Sequence, residues 1–247
     1  MGRYGEQIGY GALVSQAQQL RYVARGVVSR CPRLYIPLAR LILRSEHKHL
    51  VVGKDTEIVI EGFPRSANTF AYKAFQLSQE NKVRVAHHLH APAQIIMAAK
   101  MNIPTVVQIR NPEGTVLSYV IRNPFISIKV ALKQYILFYQ AILPYRDHFV
   151  LAKFEDVIKN FGLIIRQVNN KFNTRFKEFE HNEENVAKCY QIPFSNRKRL
   201  KEQLRFEYNN EKLKTLTQKA KSIYQILISK RSHLRNCSRL HMPHTLS

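Results

Sequence analysis

Several features that would narrow the function at once are missing from this sequence. It has no tryptophan and only three cysteines in 247 residues, and its 17 Asp and Glu are outnumbered by 39 Lys and Arg. No run of about 18 apolar residues occurs, so no segment is expected to span a bilayer. The cysteines lie far apart, without CxxC or Cys/His spacing. This argues against a zinc site and indicates reduced thiols in a cytosolic protein.

The shortage of acidic residues leaves a formal net charge of +22. This charge predicts an anionic partner, whether a nucleotide, a nucleic acid, a polyanionic sugar or an acidic membrane surface. The first 16 residues lack the continuous apolar stretch of a signal peptide. A cytoplasmic location is therefore predicted, with peripheral membrane contact as an extension of it.

Residues 1–53 are predicted to form a basic N-terminal appendage, with spaced arginines among apolar residues. Within it, RLYIPLARLILR reads as a short basic amphipathic segment that Pro37 breaks. Two roles are open. Residues 20–45 contact an anionic membrane peripherally, or the segment packs on the domain with its arginines in water.

The main domain is predicted over residues 54–230, where strands alternate with helices. Apolar, β-branched runs predict strands in TEIVIEGF, KVRVAHHL, PTVVQIR and HFVLAKFED. Helical periodicity follows in TFAYKAFQLSQE, PAQIIMAAKM, EGTVLSYVIR, a long helix over 126–146, and FGLIIRQVNNKF. The alternation predicts a three-layer α/β fold with a mostly parallel β-sheet flanked by helices. Residues 231–247 are expected to form a frayed tail.

The loop GFPRSANTF joins the first predicted strand to a helix and concentrates polar residues at that point. A helix N-terminus offers unpaired N–H groups and positive potential, and Arg65 adds a charge and a rigid fork of donors. Ser66, Asn68 and Thr69 add donors without bulk. The loop therefore predicts a phosphate cradle, although it is not a Walker A sequence. The alternative is an ordinary helix capped by Ser66 or Asn68.

Two other predicted strands also end in polar residues. Arg110 stands at the end of the third strand, and Ser118 follows eight residues later in the next helix. The second strand ends in HHLHAP, with His90 two residues before Pro92. Because the carboxyl ends of parallel strands share one edge of the sheet, a single pocket is expected to collect these groups.

These segments together resemble the sulfotransferases that use 3′-phosphoadenosine 5′-phosphosulfate (PAPS). FPRSANTF is similar to their 5′-phosphosulfate loop, and RNPEGTVLSY to their 3′-phosphate motif, an R-x-P with a serine eight residues after the arginine. HAP matches their H-x-P, and KFEDVI resembles the segment that closes a later strand. The resemblance covers roughly residues 56–160 and implies the P-loop NTPase-like sulfotransferase fold.

The resemblance implies transfer of a sulfuryl group from PAPS to a hydroxyl or amine, with 3′-phosphoadenosine 5′-phosphate (PAP) as product. It implies that His90 is the catalytic base, because a neutral imidazole accepts a proton near pH 7. His88 is the rival and His87 a lesser candidate. The acceptor is not specified by the sequence, and a small molecule or carbohydrate is expected.

The resemblance also implies which residues bind the donor. Arg65 would stabilise the 5′-phosphate and its bridging oxygen, helped by the backbone of Ser66, Ala67, Asn68 and Thr69. The 3′-phosphate would be bound by Arg110 and Ser118. No metal is expected, because arginine charge takes its place. Glu155 and Asp156 are interpreted as caps or ion-pair partners.

The sequence departs from the family pattern in three places. Ala67 stands where the family usually has Gly, which costs about 1 kcal/mol if that position needs a positive φ. Arg65 replaces a common Lys. The C-terminal R-K-G motif is missing, and NRKRLK at 196–201 is the candidate to supply its charge.

Other classes of function stay open. A nucleotide-dependent phosphotransferase would need a Walker lysine and a Mg²⁺-binding Asp, and the sequence offers neither. Nucleic-acid or other polyanion binding fits the charge, but no RRM, KH or zinc-finger signature supports it. The Ala67 substitution also leaves room for a non-catalytic binding module with this fold.

Overall fold

The sheet of the protein has four parallel strands. In the computed structural model, which describes residues 3–190 and 197–229, they are β1 (Ile58–Gly62), β2 (Val85–His87), β3 (Thr105–Ile109) and β4 (Val150–Lys153). Their order is β2-β1-β3-β4, and each neighbouring pair is parallel. The predicted α/β architecture with a parallel sheet flanked by helices is confirmed.

Helices occupy most of the remaining described chain. They are α1 (Arg3–Val28), α2 (Pro32–Ile42), α3 (Asn68–Ser78), α4 (Pro92–Lys100), α5 (Pro112–Arg122), α6 (Ile128–Ile142), α7 (Phe154–Lys159), α8 (Phe161–Phe172), α9 (Glu183–Cys189), α10 (Arg197–Tyr208) and α11 (Lys214–Ile228). Short 3-10 helices span Ser45–Leu50, Leu143–His148 and Glu211–Leu213. None of the described helices is long and apolar enough to traverse a lipid bilayer.

Both faces of the sheet are covered, so β1 and β3 are buried along their whole length. Ile58 and Ile60 pack with α3 and α8 on one face. Val59, between them, packs with α2 and α4 on the other. A strand buried on both sides reads as a continuous apolar run, which is the pattern that predicted these strands.

The N-terminal helices pack against this core. Tyr35, Ile36 and Ala39 of α2 are buried in a cluster that includes Val59 of β1. The predicted break at Pro37 is wrong, because α2 continues through it. Pro37 is the sixth of the eleven residues of α2, so its missing N–H removes one hydrogen bond in the middle of the helix. The domain boundary at residue 53 stays a prediction.

Two predicted elements end earlier than expected. The long helix over 126–146 stops at Ile142, and a 3-10 helix continues it where Pro144 supplies no N–H. The fourth strand, predicted in HFVLAKFED, ends at Lys153 because α7 begins at Phe154. Glu155 and Asp156 lie in the first turn of α7, where the helix dipole favours carboxylates. The predicted tail, 231–247, lies outside the described residues.

Candidate active site

A pocket of about 790 Å³ opens at the carboxyl edge of the sheet. The loops that follow β1, β2 and β3 line it, together with parts of α1, α5, α7 and α10. Most of the predicted site residues lie in its wall: Arg65, Ala67, Asn68, Thr69, His88, His90, Arg110 and Ser118. Ser66 is fully buried beside them. The topology therefore collects the predicted groups in one place, as expected for strand ends in a parallel sheet.

The loop after β1 is wound tightly into the start of α3. Arg65 and Ala67 both have left-handed backbone conformations, with φ of 71° and 72°. Asn68 Nδ2 donates to the carbonyl of Phe63 at 2.9 Å and closes the loop on itself. A side chain at Gly62 would meet the Gln108 carbonyl at 2.6 Å, so only glycine fits there.

The N-terminus of α3 has no side-chain cap. Its cap residue is Ala67, so the interpretation that Ser66 or Asn68 caps an ordinary helix is wrong. Ser66 precedes the cap position and Asn68 follows it, and the Asn68 side-chain amide donates to the carbonyl of Phe63. Thr69, in the first turn, lines the pocket, and so this helix end faces the cavity.

The arginine side of the pocket joins the two predicted anion-binding segments. Arg65 Nε donates to Ser118 Oγ at 3.1 Å, and Arg110 Nη1 donates to the carbonyl of Arg65 at 3.4 Å. The Arg110 guanidinium lies 4.0 Å from the ring centre of Phe154. Burial lowers the pKa of Arg110, opposed by the charge of Glu155. The resemblance assigns Arg65 and Ser118 to different phosphates, whereas here the two side chains are in contact.

The histidine side of the pocket contains the predicted base. His90 Nδ1 lies 2.8 Å from the carbonyl of Gly62. Because a carbonyl only accepts, Nδ1 must donate a proton, and Nε2 is then the basic nitrogen. None of the described residues hydrogen-bonds to that Nε2. His90 thus has the form that a general base requires.

The two other histidines are more restricted. His88 Nε2 is 3.1 Å from Thr69 Oγ1, and its Nδ1 contacts Nδ1 of His87. Burial, reinforced by the nearby His90, lowers the pKa of His88. His87 is buried and stacks on Tyr72 at 3.6 Å between ring centres. Burial first, and then the charge of His88, lowers the pKa of His87 to about 3. Both rings are held in place by their neighbours.

Glu61 belongs to the site but was not predicted from the sequence. It is fully buried at the end of β1, with Oε1 3.5 Å from His90 Nδ1. It accepts hydrogen bonds from the N–H groups of Gly62 and Leu89 and from Gln94 Nε2. Burial alone would raise the pKa of Glu61, but the hydrogen bond from His90, the charge that His90 carries when protonated, and the hydrogen bonds from Gly62 and Gln94 lower it overall. The buried Glu61 carboxylate therefore lies beside Nδ1 of the His90 imidazole.

The signal for Glu61 was present in the sequence. A strand of a parallel sheet has no solvent face, so the single Glu in IVIEGF had to be buried and paired. Its pairing with a histidine 29 residues later has no local signature.

More positive charge surrounds the pocket than the predicted residues supply. Three further basic side chains, Arg25, Arg122 and Lys201, line it, and no Asp or Glu does so within the described residues. Arg25, on α1, donates to the Leu89 carbonyl at 2.5 Å and to Tyr35 Oη at 3.1 Å. Lys201 belongs to the segment expected to replace the missing R-K-G charge. The pocket is therefore suited to an anionic ligand.

No group of three or more His, Cys, Asp or Glu within the described residues is arranged to hold a metal ion. Comparisons of the chain with protein-family models, with curated proteins and with solved structures find no match.

Proposed function

We propose that the protein is a PAPS-dependent sulfotransferase with the P-loop-like fold of that family. The observation that carries the proposal is the convergence of three segments, far apart in sequence, on one cationic pocket. These are the loop around Arg65, the Arg110–Ser118 pair and the His90 loop. PAPS carries phosphates on the 3′ and 5′ positions of its ribose, so its binding requires two anion-binding groups. Sulfuryl transfer also requires a proton acceptor nearby, and the pocket contains groups of both kinds.

The donor is held by the arginine side of the pocket in this proposal. Arg65 and the N-terminus of α3 bind the 5′-phosphosulfate, and Arg110 with Ser118 binds the 3′-phosphate. Arg110 Nε is buried with no hydrogen-bond partner among the described residues, so it is a donor that an anion would satisfy. Arg65 Nε donates to Ser118 Oγ in this structure. When the nucleotide binds, Arg65 must therefore give up this hydrogen bond or donate to Ser118 and the nucleotide together.

The bound donor supplies the sulfuryl group, and the chain supplies proton transfer and charge. His90 Nε2 removes the proton of the acceptor hydroxyl, and the imidazolium then carries a positive charge. Glu61, 3.5 Å from Nδ1, stabilises that charge and fixes the tautomer without contacting the substrate. Arg65 stabilises the negative charge that develops on the leaving phosphate. Glu61 is a positioning residue in this scheme.

The acceptor is a hydroxyl compound, with an amine as the alternative nucleophile. The wall contributed by α1 and α5 carries Tyr22, Arg25, Tyr119 and Arg122. Aromatic faces beside cations and hydroxyls suit a carbohydrate or an anionic small molecule. We therefore place the acceptor against this wall and near His90.

The test is a comparison of two nucleotides by calorimetry. PAP carries the 3′-phosphate that ADP lacks, and a site that pairs with it leaves donors unsatisfied when it is missing. PAP should bind at least about 10-fold more tightly than ADP, about 1.4 kcal/mol. The preference should persist in EDTA. Arg110→Ala should abolish it while weakening ADP much less.

Arg166→Ala is the matched control, since Arg166 pairs with Glu178 on the exposed surface and lies outside the pocket wall. It should retain the preference. Equal affinity for PAP and ADP, or a strict requirement for Mg²⁺, would favour a phosphotransferase. Absence of binding to either nucleotide would favour a non-catalytic or polyanion-binding role.

A further inference from the structure

Helix α2 exposes an apolar surface that no other described part of the chain covers. Four of its large apolar side chains face solvent: Leu34 (62% exposed), Leu38 (43%), Leu41 (81%) and Ile42 (70%). Thirteen large hydrophobic residues are exposed in the described part of the chain, and six of them lie between residues 20 and 42. Such a concentration marks an interaction surface, whereas isolated exposed leucines do not.

These four residues form one face of the helix. With about 100° between successive residues, they span a sector about 100° wide. The adjoining sector carries Tyr35, Ile36 and Ala39, which are buried against the domain. Because this second sector already packs on the domain, the apolar face of Leu34, Leu38, Leu41 and Ile42 points outward and cannot pack on the core of the same domain.

The charge around this face favours an anionic partner. The remaining sector of α2 carries two exposed arginines, Arg33 and Arg40. A third exposed arginine, Arg44, lies just after the C-terminal end of the helix. Residues 20–54 contain eight Lys or Arg and a single acidic residue, Glu46. The 4.0 Å pair of Glu46 with Arg44 is highly exposed and neutralises little. An apolar stripe flanked by arginines is the pattern of a helix that lies in the interface of an anionic bilayer.

We propose that α2 docks the protein on an anionic lipid surface, with Leu34, Leu38, Leu41 and Ile42 inserted among the headgroups. A second copy of the chain is a poorer occupant, because two such faces would bring their arginines together. The anchoring is peripheral, since an 11-residue helix lying in the interface buries one side only. The proposal is independent of the sulfotransferase assignment.

The absence of tryptophan allows a direct test. In the full chain, Leu41→Trp introduces a single indole on the proposed face. Vesicles of phosphatidylcholine with phosphatidylserine should shift its emission to the blue, and lipids brominated in their acyl chains should quench it. Pure phosphatidylcholine vesicles should bind at least about 10-fold more weakly, and high salt should weaken binding to the anionic vesicles.

Leu163→Trp is the matched control, because Leu163 is exposed on α8, away from this face. Its emission should not change with vesicles. Leu34→Glu with Leu41→Glu should weaken vesicle flotation by at least about 10-fold, about 1.4 kcal/mol, with an unchanged melting temperature. Equal shifts at positions 41 and 163, or no shift at either, would overturn the proposal. So would a concentration-dependent shift without lipid that follows dimer formation in sedimentation.

Discussion

The two sides of the pocket achieve their geometry in different ways. On the arginine side, Arg65 Nε contacts Ser118 Oγ and Arg110 Nη1 contacts the Arg65 carbonyl, and all three residues line the cavity. On the histidine side, His90 is held from behind by Gly62 and Glu61, which are both buried. The first side is held by contacts among residues that line the cavity, whereas the second is held by buried groups that do not line it. The difference predicts that changes on the arginine side act mainly through charge and changes on the histidine side mainly through proton transfer.

Loss of the arginine charge should produce the largest effect. Arg65→Ala should lower turnover by roughly 1,000-fold, because it removes the charge that the proposed mechanism directs at the leaving phosphate. Turnover is measured as PAP released from PAPS with a responsive acceptor. Arg65→Lys should retain a useful fraction. Equal loss in both variants would show that the fork geometry matters more than the charge, and wild-type turnover in Arg65→Ala would remove the loop from the mechanism.

Loss of the base should be somewhat less severe and should leave donor binding intact. His90→Ala should lower the turnover rate by roughly 100-fold, with PAP affinity nearly unchanged. His88→Ala is the control, since both ring nitrogens of His88 are already engaged. If His88→Ala were inactive and His90→Ala active, the assignment of the base would have to pass to His88.

The buried His87 should make stability depend on pH. The pKa of His87 is about 3 in the folded chain and about 6.5 when unfolded, so below pH 6.5 the unfolded chain binds a proton that the folded chain does not. Stability should therefore fall by about 2 kcal/mol from pH 7 to pH 5. Urea denaturation at both pH values measures this. His87→Phe, which keeps the stacking on Tyr72, should remove most of the difference, and an unchanged difference would assign it to other groups.

The strained loop should give the smallest effect. Ala67→Gly relieves a left-handed conformation worth about 1 kcal/mol, while glycine gives the unfolded chain more freedom. The net gain in stability should be about 0.5 kcal/mol. Ala187→Gly, in the ordinary helical backbone of α9, should instead lower stability. A loss of stability in Ala67→Gly would mean that the left-handed turn carries no strain.

The sequence pattern predicted those helices and loops whose form depends on residues close together in the chain. FGLIIRQVNNKF is α8 from end to end, and the loop residues around Arg65 line the pocket as the spacing of the strands predicted. The end of β4 was misplaced because Phe154 suits a strand as well as a helix, and only its neighbours Glu155 and Asp156 favour the helix start. The pairing of Glu61 with His90 depends on tertiary contact, as does the entry of Arg25 into the pocket wall. Neither has a fixed sequence spacing.

The buried side chain of Gln94 joins residues that are far apart in the sequence through hydrogen bonds. Gln94 Nε2 donates to Glu61, and its Oε1 accepts from the N–H of Val52 at 2.6 Å. The carbonyl of Val52 accepts in turn from Arg40 of α2 at 2.9 Å. Val52 lies outside the sheet, yet its N–H is buried and hydrogen-bonded, so it should exchange with solvent only when this network opens. Its exchange protection should therefore report on the contacts that hold Glu61, the carboxylate beside His90, from a residue outside the pocket wall.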